Sequence, residues 1–263
     1  MSVANASIEK NVSNLVLVSS DKAVRPTNIM GASKRFAELC LQAIHKNSIN
    51  NNNFSIVRFG NVLESSGSVI PKFRKQILNG GPITLTHPDV SRYFMTIVEA
   101  AQLVIQAGAL GKNSEVFVLD MGESIKIKDL ISRMVKLSGL KLKKGKNSDG
   151  DIEIQIIGLK PGEKLYEELL IGDNPKKTIH PKILTAQDPS IKYEKLEKIL
   201  EELKILLDNH KSLEVKNLLN ESIKLYNSNS EIVDPIYLEE MNLNNQKNDL
   251  PAKVDELKVI KIK

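Results

Sequence analysis

The chain has 263 residues, of which 41% are hydrophobic, an ordinary fraction for a soluble protein with a packed core. It carries 37 Lys and Arg against 32 Asp and Glu, which gives a formal net charge of +5, and 4% of its residues are aromatic. Because the lysines are scattered and the aromatics few, the composition argues against a nucleic-acid-binding protein. A basic pocket for an anionic small molecule remains compatible with it.

Four further features limit the class of protein. No apolar run approaches the roughly 20 residues needed to span a bilayer, and residues 1–10 are too polar for a signal peptide. The single cysteine, Cys40, rules out an internal disulfide framework. We therefore expect a cytoplasmic protein. The four histidines have no metal-ligand spacing, and we expect no metal site.

Apolar periodicity and turn residues predict an alternation of strands and helices along the chain. The predicted helices cover residues 2–10, 27–46, 68–78, 97–109, 127–137, 165–170, 193–207 and 213–226. The predicted strands cover residues 12–18, 54–59, 83–85, 93–95, 115–119 and 152–157, and the first of them is expected to be buried. Residues 50–53 and 140–149 are predicted loops, and the polar residues 242–263 have no predicted structure.

This alternation predicts an α/β fold with helices on both faces of a parallel sheet. The sheet is expected to be an incomplete doubly wound sheet that lacks its N-terminal strands, because the end of a helix at 2–10 leads straight into the strand at 12–18 and the chain has no G-x-x-G-x-x-G turn for a dinucleotide. We expect four segments. Residues 1–140 form the sheet and its helices, residues 141–190 a small lobe, residues 191–226 a helical pair and residues 227–263 a flexible tail.

The most informative feature is a polar cluster at the carboxyl end of the first predicted strand, where open α/β sheets place their chemistry. Ser20, Asp21 and Lys22 follow that strand directly. The next predicted helix carries Met30 and Lys34, which lie four residues apart and therefore share one face. From the residues alone, the cluster is also compatible with an ordinary turn, Met30 with a core position and Lys34 with a solvated surface.

Five blocks of sequence occur in an order and spacing that are typical of one family. The blocks are residues 15–34, Arg58-Phe59-Gly60-Asn61-Val62-Leu63, Gly67-Ser68-Val69-Ile70-Pro71, Ser91-Arg92-Tyr93-Phe94-Met95-Thr96 and Lys160-Pro161-Gly162-Glu163-Lys164. They resemble the CapD-like polysaccharide biosynthesis proteins, the UDP-N-acetylglucosamine 4,6-dehydratases among the extended short-chain dehydrogenase/reductases. The likeness covers roughly residues 1–185. It implies a Rossmann-like NAD-binding domain, of which residues 1–140 are the C-terminal part, and a substrate-binding lobe at 141–190.

The resemblance also implies the reaction, in which water is eliminated across carbons 5 and 6 of the sugar after NAD, rather than NADP, has oxidised carbon 4. Lys22 would be the base for the carbon 5 proton and Asp21 the acid for the departing hydroxyl, while Ser20 would hydrogen-bond the carbon 4 oxygen. Met30 stands where most short-chain dehydrogenases have a tyrosine. Because a thioether has no proton to exchange, Asp21 would also receive the carbon 4 hydroxyl proton. Lys34 would hold the nicotinamide ribose.

The remaining implied contacts concern the UDP-sugar and the cofactor. Arg92 and Lys160 would meet the pyrophosphate, whose negative charge suits cationic side chains. Glu163 would bind the uridine ribose and Asn61 would lie near the sugar and the first phosphate. Val62 would contact the cofactor. From the residues alone, each position is equally compatible with a surface ion pair or a turn.

Two other functions stay open from the sequence. A UDP-sugar 4-epimerase on the same scaffold needs no acid–base pair for elimination, and the Asp21-Lys22 pair argues against it. The chain could also be a truncated, non-catalytic remnant or binding module, or a separate polypeptide could supply the missing N-terminal half. The resemblance further implies a homo-oligomer when the enzyme is complete, and its larger members are anchored to the inner membrane by segments absent here.

Overall fold

The structure is a computed structural model, and it describes residues 1–48, 52–65, 67–143, 145, 149–170, 175–228, 231–232 and 234–239. The chain forms two compact units, Met1–Ser230 and Glu231–Lys263. In the described part of the second unit, Oδ1 of Asp234 accepts a hydrogen bond from the backbone N of Ile236 at 3.0 Å. None of the helices among these residues combines the length and the apolar character that a bilayer crossing requires.

The first unit alternates helices and strands along the described residues. The helices are α1 (Ser2–Glu9), α2 (Ile29–Asn47), α3 (Val69–Leu78), α4 (Ile97–Leu110), α5 (Ile127–Leu137), α6 (Tyr193–Asp208) and α7 (Ser212–Ser222). The strands are β1 (Asn14–Val18), β2 (Asn53–Arg58), β3 (Asn61–Val62), β4 (Ile83–Leu85), β5 (Ser91–Arg92), β6 (Phe94–Met95), β7 (Glu115–Leu119), β8 (Ile125–Lys126), β9 (Ile154–Ile156), β10 (Lys176–Lys177) and β11 (Ile183–Ala186). A single 3-10 turn, Asp21–Ala23, follows β1.

A five-stranded sheet in the order β1-β2-β7-β11-β10 organises the first unit. The first three strands are parallel, with Leu17 opposite Ile56 and Val57 opposite Phe117, which confirms the predicted α/β class and its parallel sheet. The antiparallel strands β11 and β10 were not predicted. Because β1 and β2 run in the same direction, the residues that follow them meet at one edge of the sheet.

Helices cover both faces of this sheet, because successive side chains of a strand point to opposite sides. Ile56 and Val116 share a buried cluster with Leu41 of α2 on one face. Val57 shares another with Leu103 of α4 on the opposite face. A third cluster joins α3, α5, β4 and β9, and a fourth joins α2 to α6 and α7.

A buried cluster of four charged side chains ties α2 to the ends of β1 and β2. Glu38 accepts hydrogen bonds from Oγ of Ser19 at 2.6 Å and from Nη1 of Arg35 at 2.8 Å. It also accepts from Nε and Nη2 of Arg58, at 2.7 and 2.5 Å. Asp188 lies 2.5 Å from Nη2 of Arg58 and 3.5 Å from Nη1 of Arg35. Two positive charges thus face two negative charges, the pairing that buried ions require.

Two predicted elements differ from the structure for identifiable reasons. The helix expected at 165–170 is wrong, because the segment is irregular. The carbonyl oxygen of Leu165 accepts from the backbone N of Ser91 and from Nη1 of Arg92, both at 3.2 Å, so tertiary contacts take the acceptor of the first helical turn. The strand expected to be buried is an edge strand, and Val18 at its end is 48% exposed.

Other differences concern the bounds of elements. The helix predicted at 213–226 ends at residue 222, and the strand predicted at 152–157 is limited to β9. The predicted loops at 50–53 and 140–149 fall partly outside the described residues, and the tail at 242–263 falls wholly outside them.

Candidate active site

A pocket of about 870 Å³ opens beside the carboxyl ends of β1 and β2. The structure brings most of the predicted site residues to its wall. Those that line it are Ser20, Lys22, Met30, Asn61, Val62, Arg92, Lys160 and Glu163. Two predicted residues are outside this lining: Asp21, whose side chain is fully buried, and Lys34, which is exposed on α2.

The residues after β1 form a hydrogen-bonded acid–base cluster. Oδ1 of Asp21 accepts from Oγ of Ser20 at 2.8 Å and from Nζ of Lys22 at 2.9 Å. The same Nζ lies 3.4 Å from Oδ1 of Asn61, which follows β2. The parallel pairing of β1 and β2 therefore places the amide of Asn61 beside the lysine.

Asp21 and Lys22 differ in their access to the pocket. The Asp21 side chain is 0% exposed and the Lys22 side chain is 28% exposed. Oδ2 of Asp21 has no hydrogen-bond partner among the described residues. A Cβ at Gly60 would lie 3.1 Å from that oxygen, so the glycine leaves room for the carboxyl group. A buried acid next to a partly exposed amine is an arrangement that can move protons.

The start of α2 is held in place by the segment that follows β9. Oδ1 of Asn28 caps the helix by accepting from the backbone N of Gly31 at 2.8 Å. Nδ2 of Asn28 donates to the carbonyl oxygen of Gly162 at 3.0 Å. Nζ of Lys164 donates to the carbonyl oxygen of Val24 at 2.7 Å. These bonds fix two distant parts of the chain on one side of the pocket.

Met30 lies in the first turn of α2, is 47% exposed and lines the pocket, so a core position for it is wrong. Lys34 follows one turn later and is exposed. Val62 is half-buried in the pocket wall. An exposed ammonium can donate to ribose hydroxyls, and an apolar side chain can cover a ring. Met30, Lys34 and Val62 are therefore the candidates for the nicotinamide–ribose end of NAD.

The described residues lack the glycine-rich dinucleotide turn. No strand in them leads through a glycine-rich turn into a helix, the arrangement that cradles a diphosphate. Nor do the side chains in these segments form a group of three or more His, Cys, Asp or Glu able to hold a metal ion.

A second polar group lines the other side of the pocket. Oε1 of Glu163 accepts from Oγ1 of Thr86 at 2.9 Å and from Nη2 of Arg92 at 3.2 Å. Oε2 of Glu163 accepts from the backbone N of Lys160 at 3.1 Å. The structure therefore groups Arg92, Lys160 and Glu163 on one side of the pocket. Thr86 is an additional member that no sequence signal marked.

Glu167 is the acidic residue of the site that sequence reasoning missed. Its side chain is 4% exposed, and Oε1 lies 3.9 Å from Nζ of Lys22 and 3.8 Å from Nε of Arg92. Burial and the charge of Asp21 raise the pKa of Glu167, and nearby cations oppose this rise. Glu167 lies in the segment 165–170 that was predicted as a helix. Because the next residue is also a glutamate, Glu168, the sequence does not indicate that Glu167 is buried.

Comparison with known proteins gives a consistent result. Residues 1–188 match the family described as "Polysaccharide biosynthesis protein". "Capsular polysaccharide biosynthesis protein CapD" of Staphylococcus aureus is 52% identical over 179 residues, 68% of this chain and 28% of that protein. "Probable polysaccharide biosynthesis protein EpsC" of Bacillus subtilis is 53% identical over 168 residues, 64% of this chain and 27% of that protein. The chain thus spans less than a third of the length of either relative.

Solved structures share the fold. Pen from Bacillus thuringiensis aligns with a TM-score of 0.62 at 33% identity, over 76% of this chain and 65% of that one. The dTDP-glucose 4,6-dehydratase DesIV from Streptomyces venezuelae aligns with a TM-score of 0.53 at 16% identity, over 64% of this chain and 54% of that one. At that identity, the second likeness supports the Rossmann-type fold alone.

Proposed function

Because the chain belongs to the polysaccharide biosynthesis protein family, we propose that it carries the catalytic and sugar-binding part of a nucleotide-sugar 4,6-dehydratase. The proposed substrate is UDP-N-acetylglucosamine, and the product would enter the synthesis of a surface polysaccharide or glycan. The observation that carries the proposal is the Asp21–Lys22 pair, joined at 2.9 Å beside a pocket that also holds Asn61.

The two members of the pair have complementary tasks in this reaction. Bound NAD would supply the hydride acceptor for carbon 4 and the hydride donor for carbon 6. Asp21 does not line the pocket, so it would take the proton of the carbon 4 hydroxyl through Ser20, whose Oγ donates to it at the pocket wall, and would give that proton to the hydroxyl that leaves as water. Lys22, whose Nζ reaches the pocket, would take the carbon 5 proton and return it after reduction.

The opposite wall of the pocket suits the UDP portion. Lys160 and Arg92 place positive charge there, as a diphosphate requires. Arg92 is held by Glu163 and by the carbonyl oxygens of Ser91 and Leu165, so it is positioned before the substrate arrives. A preorganised cation loses little conformational freedom on binding. Glu163 is proposed to meet the uridine ribose.

The test is mass spectrometry of UDP-N-acetylglucosamine incubated with the purified chain and NAD. The assay is run with the chain alone and with a second polypeptide that carries a glycine-rich dinucleotide-binding half. Loss of one water from the sugar in either mixture supports the proposal. In an active mixture Lys22→Ala should abolish the loss of water, whereas Lys75→Ala, which removes an exposed lysine of α3, should leave it intact.

Two outcomes would contradict the proposal. A change of sugar configuration at constant mass would identify a 4-epimerase, which needs no acid–base pair for elimination. An unchanged substrate in both mixtures would identify a non-catalytic remnant or binding module. Water loss that persists undiminished in the Lys22→Ala variant would overturn the assignment of the base.

A further inference from the structure

Thr86 lines the pocket, yet the proposed reaction does not use it. It follows β4 directly, and the segment after β9 carries Glu163. β4 and β9 are paired in parallel, with Leu85 opposite Ile156. Because parallel strands end on the same side, the residues that follow them come close together. Oγ1 of Thr86 donates to Oε1 of Glu163 at 2.9 Å.

The hydrogen bonds of the Glu163 carboxylate leave room for one ligand donor. A carboxylate has about four acceptor sites. In the described part of the chain, Oε1 accepts from Thr86 and, at 3.2 Å, from Nη2 of Arg92, while Oε2 accepts from the backbone N of Lys160 at 3.1 Å. The Glu163 side chain is 21% exposed and lines the pocket. An acceptor site on Oε2 is therefore open to a bound molecule.

The charges around Glu163 favour an uncharged hydroxyl group as that donor. Arg92 and Lys160 attract the diphosphate of a nucleotide, whereas a carboxylate repels it. A hydroxyl group can donate to a carboxylate without bringing a negative charge. In a uridine diphosphate the ribose carries hydroxyl groups and is attached directly to the diphosphate. A carboxylate beside two cations thus suits the junction of ribose and diphosphate.

We propose that Thr86 is a positioning residue that holds the Glu163 carboxylate for the ribose hydroxyls and thereby gives the site its preference for a ribonucleotide. The inference rests on the proposed function, in which Glu163 meets the uridine ribose. Thr86 and Arg92 both donate to Oε1, so the carboxylate is fixed before the nucleotide arrives. A preorganised acceptor loses little conformational freedom on binding. Thr86 acts through Glu163 and takes no part in the chemical step.

The first test measures nucleotide binding and requires no turnover. Isothermal titration calorimetry compares UDP with 2′,3′-dideoxyuridine diphosphate, which lacks both ribose hydroxyls. The wild-type chain should bind UDP about tenfold more tightly, since a hydrogen bond to a charged group is lost with the dideoxy nucleotide. Equal affinities would overturn the inference, because Glu163 would then meet no ribose hydroxyl.

Variants of Thr86 then test its part in this preference. Thr86→Val keeps the shape of the side chain but removes the donor, so the preference for UDP should fall to about threefold or less. The affinity for the dideoxy nucleotide should stay within about twofold, because the cations that meet the diphosphate remain. Thr86→Ser keeps the hydroxyl and should restore the wild-type preference. Thr185→Val, which removes a threonine hydroxyl of β11 outside the pocket lining, is the matched control and should bind like the wild type.

Two results with these variants would contradict the proposal. A wild-type preference in Thr86→Val would mean that the hydroxyl does not position Glu163. An equal weakening of both nucleotides would mean that Thr86 supports the pocket as a whole. Thr86→Ala also removes the donor and should reduce the preference as Thr86→Val does. A preference retained in Thr86→Ala would assign the effect to the valine methyl group and overturn the inference.

The second test uses the active mixture and separates the two proposals. Thr86→Val should raise KM for the UDP-sugar about threefold and leave kcat within about twofold, because the ribose contact is the same before and during the chemical step. A lower kcat at unchanged KM would overturn the inference. If the wild type forms no product, the proposed function fails, whereas the nucleotide-binding comparison still decides the role of Thr86.

Discussion

Replacement of Glu38 by glutamine tests the buried charge cluster most directly. Glu38 receives four hydrogen bonds, from Ser19, Arg35 and twice from Arg58. Without the Glu38 carboxylate, the guanidinium groups of Arg35 and Arg58, each no more than 5% exposed, keep Asp188 as their ion-pair partner. Breaking a buried ion pair on one side costs about 3–5 kcal/mol. At about 2–4 °C per kcal/mol for a domain of this size, Tm should fall by roughly 10 °C.

The assay is thermal unfolding followed by circular dichroism, with Glu201→Gln on the exposed side of α6 as the matched control. Burial would raise the pKa of Glu38, but the hydrogen bonds and charge of Arg58, then the charge of Arg35 and the bond from Ser19, outweigh it and lower the pKa. A carboxyl whose pKa is lower in the folded state stabilises the protein above its unfolded pKa. This stabilisation is lost as the pH falls through the folded pKa. The difference in Tm between the wild type and Glu38→Gln should therefore become smaller as the pH is lowered.

Two results would refute this reasoning. A Tm for Glu38→Gln as close to the wild type as that of Glu201→Gln would mean that the cluster contributes no net stability. A difference in Tm that grows as the pH falls would mean that the pKa of Glu38 is raised rather than lowered in the folded state. Either result would show that the four buried charges do not stabilise the fold as paired ions.

Three further predictions concern single positions. Asn28→Ala removes the cap of α2 and the bond to Gly162, and it should lower the free energy of unfolding by about 1 kcal/mol in a urea titration. In Gly31→Ala the new Cβ would lie 2.4 Å from the carbonyl oxygen of Lys22. We therefore expect the free energy of unfolding to fall by about 1–3 kcal/mol in the same titration. An unchanged midpoint would contradict this close packing. Burial raises the pKa of Cys40 to about 11, so iodoacetamide should alkylate it at neutral pH only after denaturation, and rapid labelling of the folded chain would contradict its burial.

Much of the fold could be predicted from local patterns. The bounds of α5 and β7 were predicted to the residue, because each is a compact apolar pattern between clear turn residues. The same logic missed β11, which has four residues and is a strand because it pairs with β7. It also predicted a helix at 165–170, where residues of β5 donate to the carbonyl oxygen of Leu165 instead.

The candidate site shows the same division. The sequence by itself determined that Ser20, Asp21 and Lys22 follow a strand, since neighbours in sequence remain neighbours in space. Only the tertiary structure decided that Asn61 and Glu167 approach the same amine. The physical reason is that such approaches depend on strand register and on where an irregular segment packs. Neither the register of a parallel sheet nor the burial of one glutamate among many has a local sequence signal.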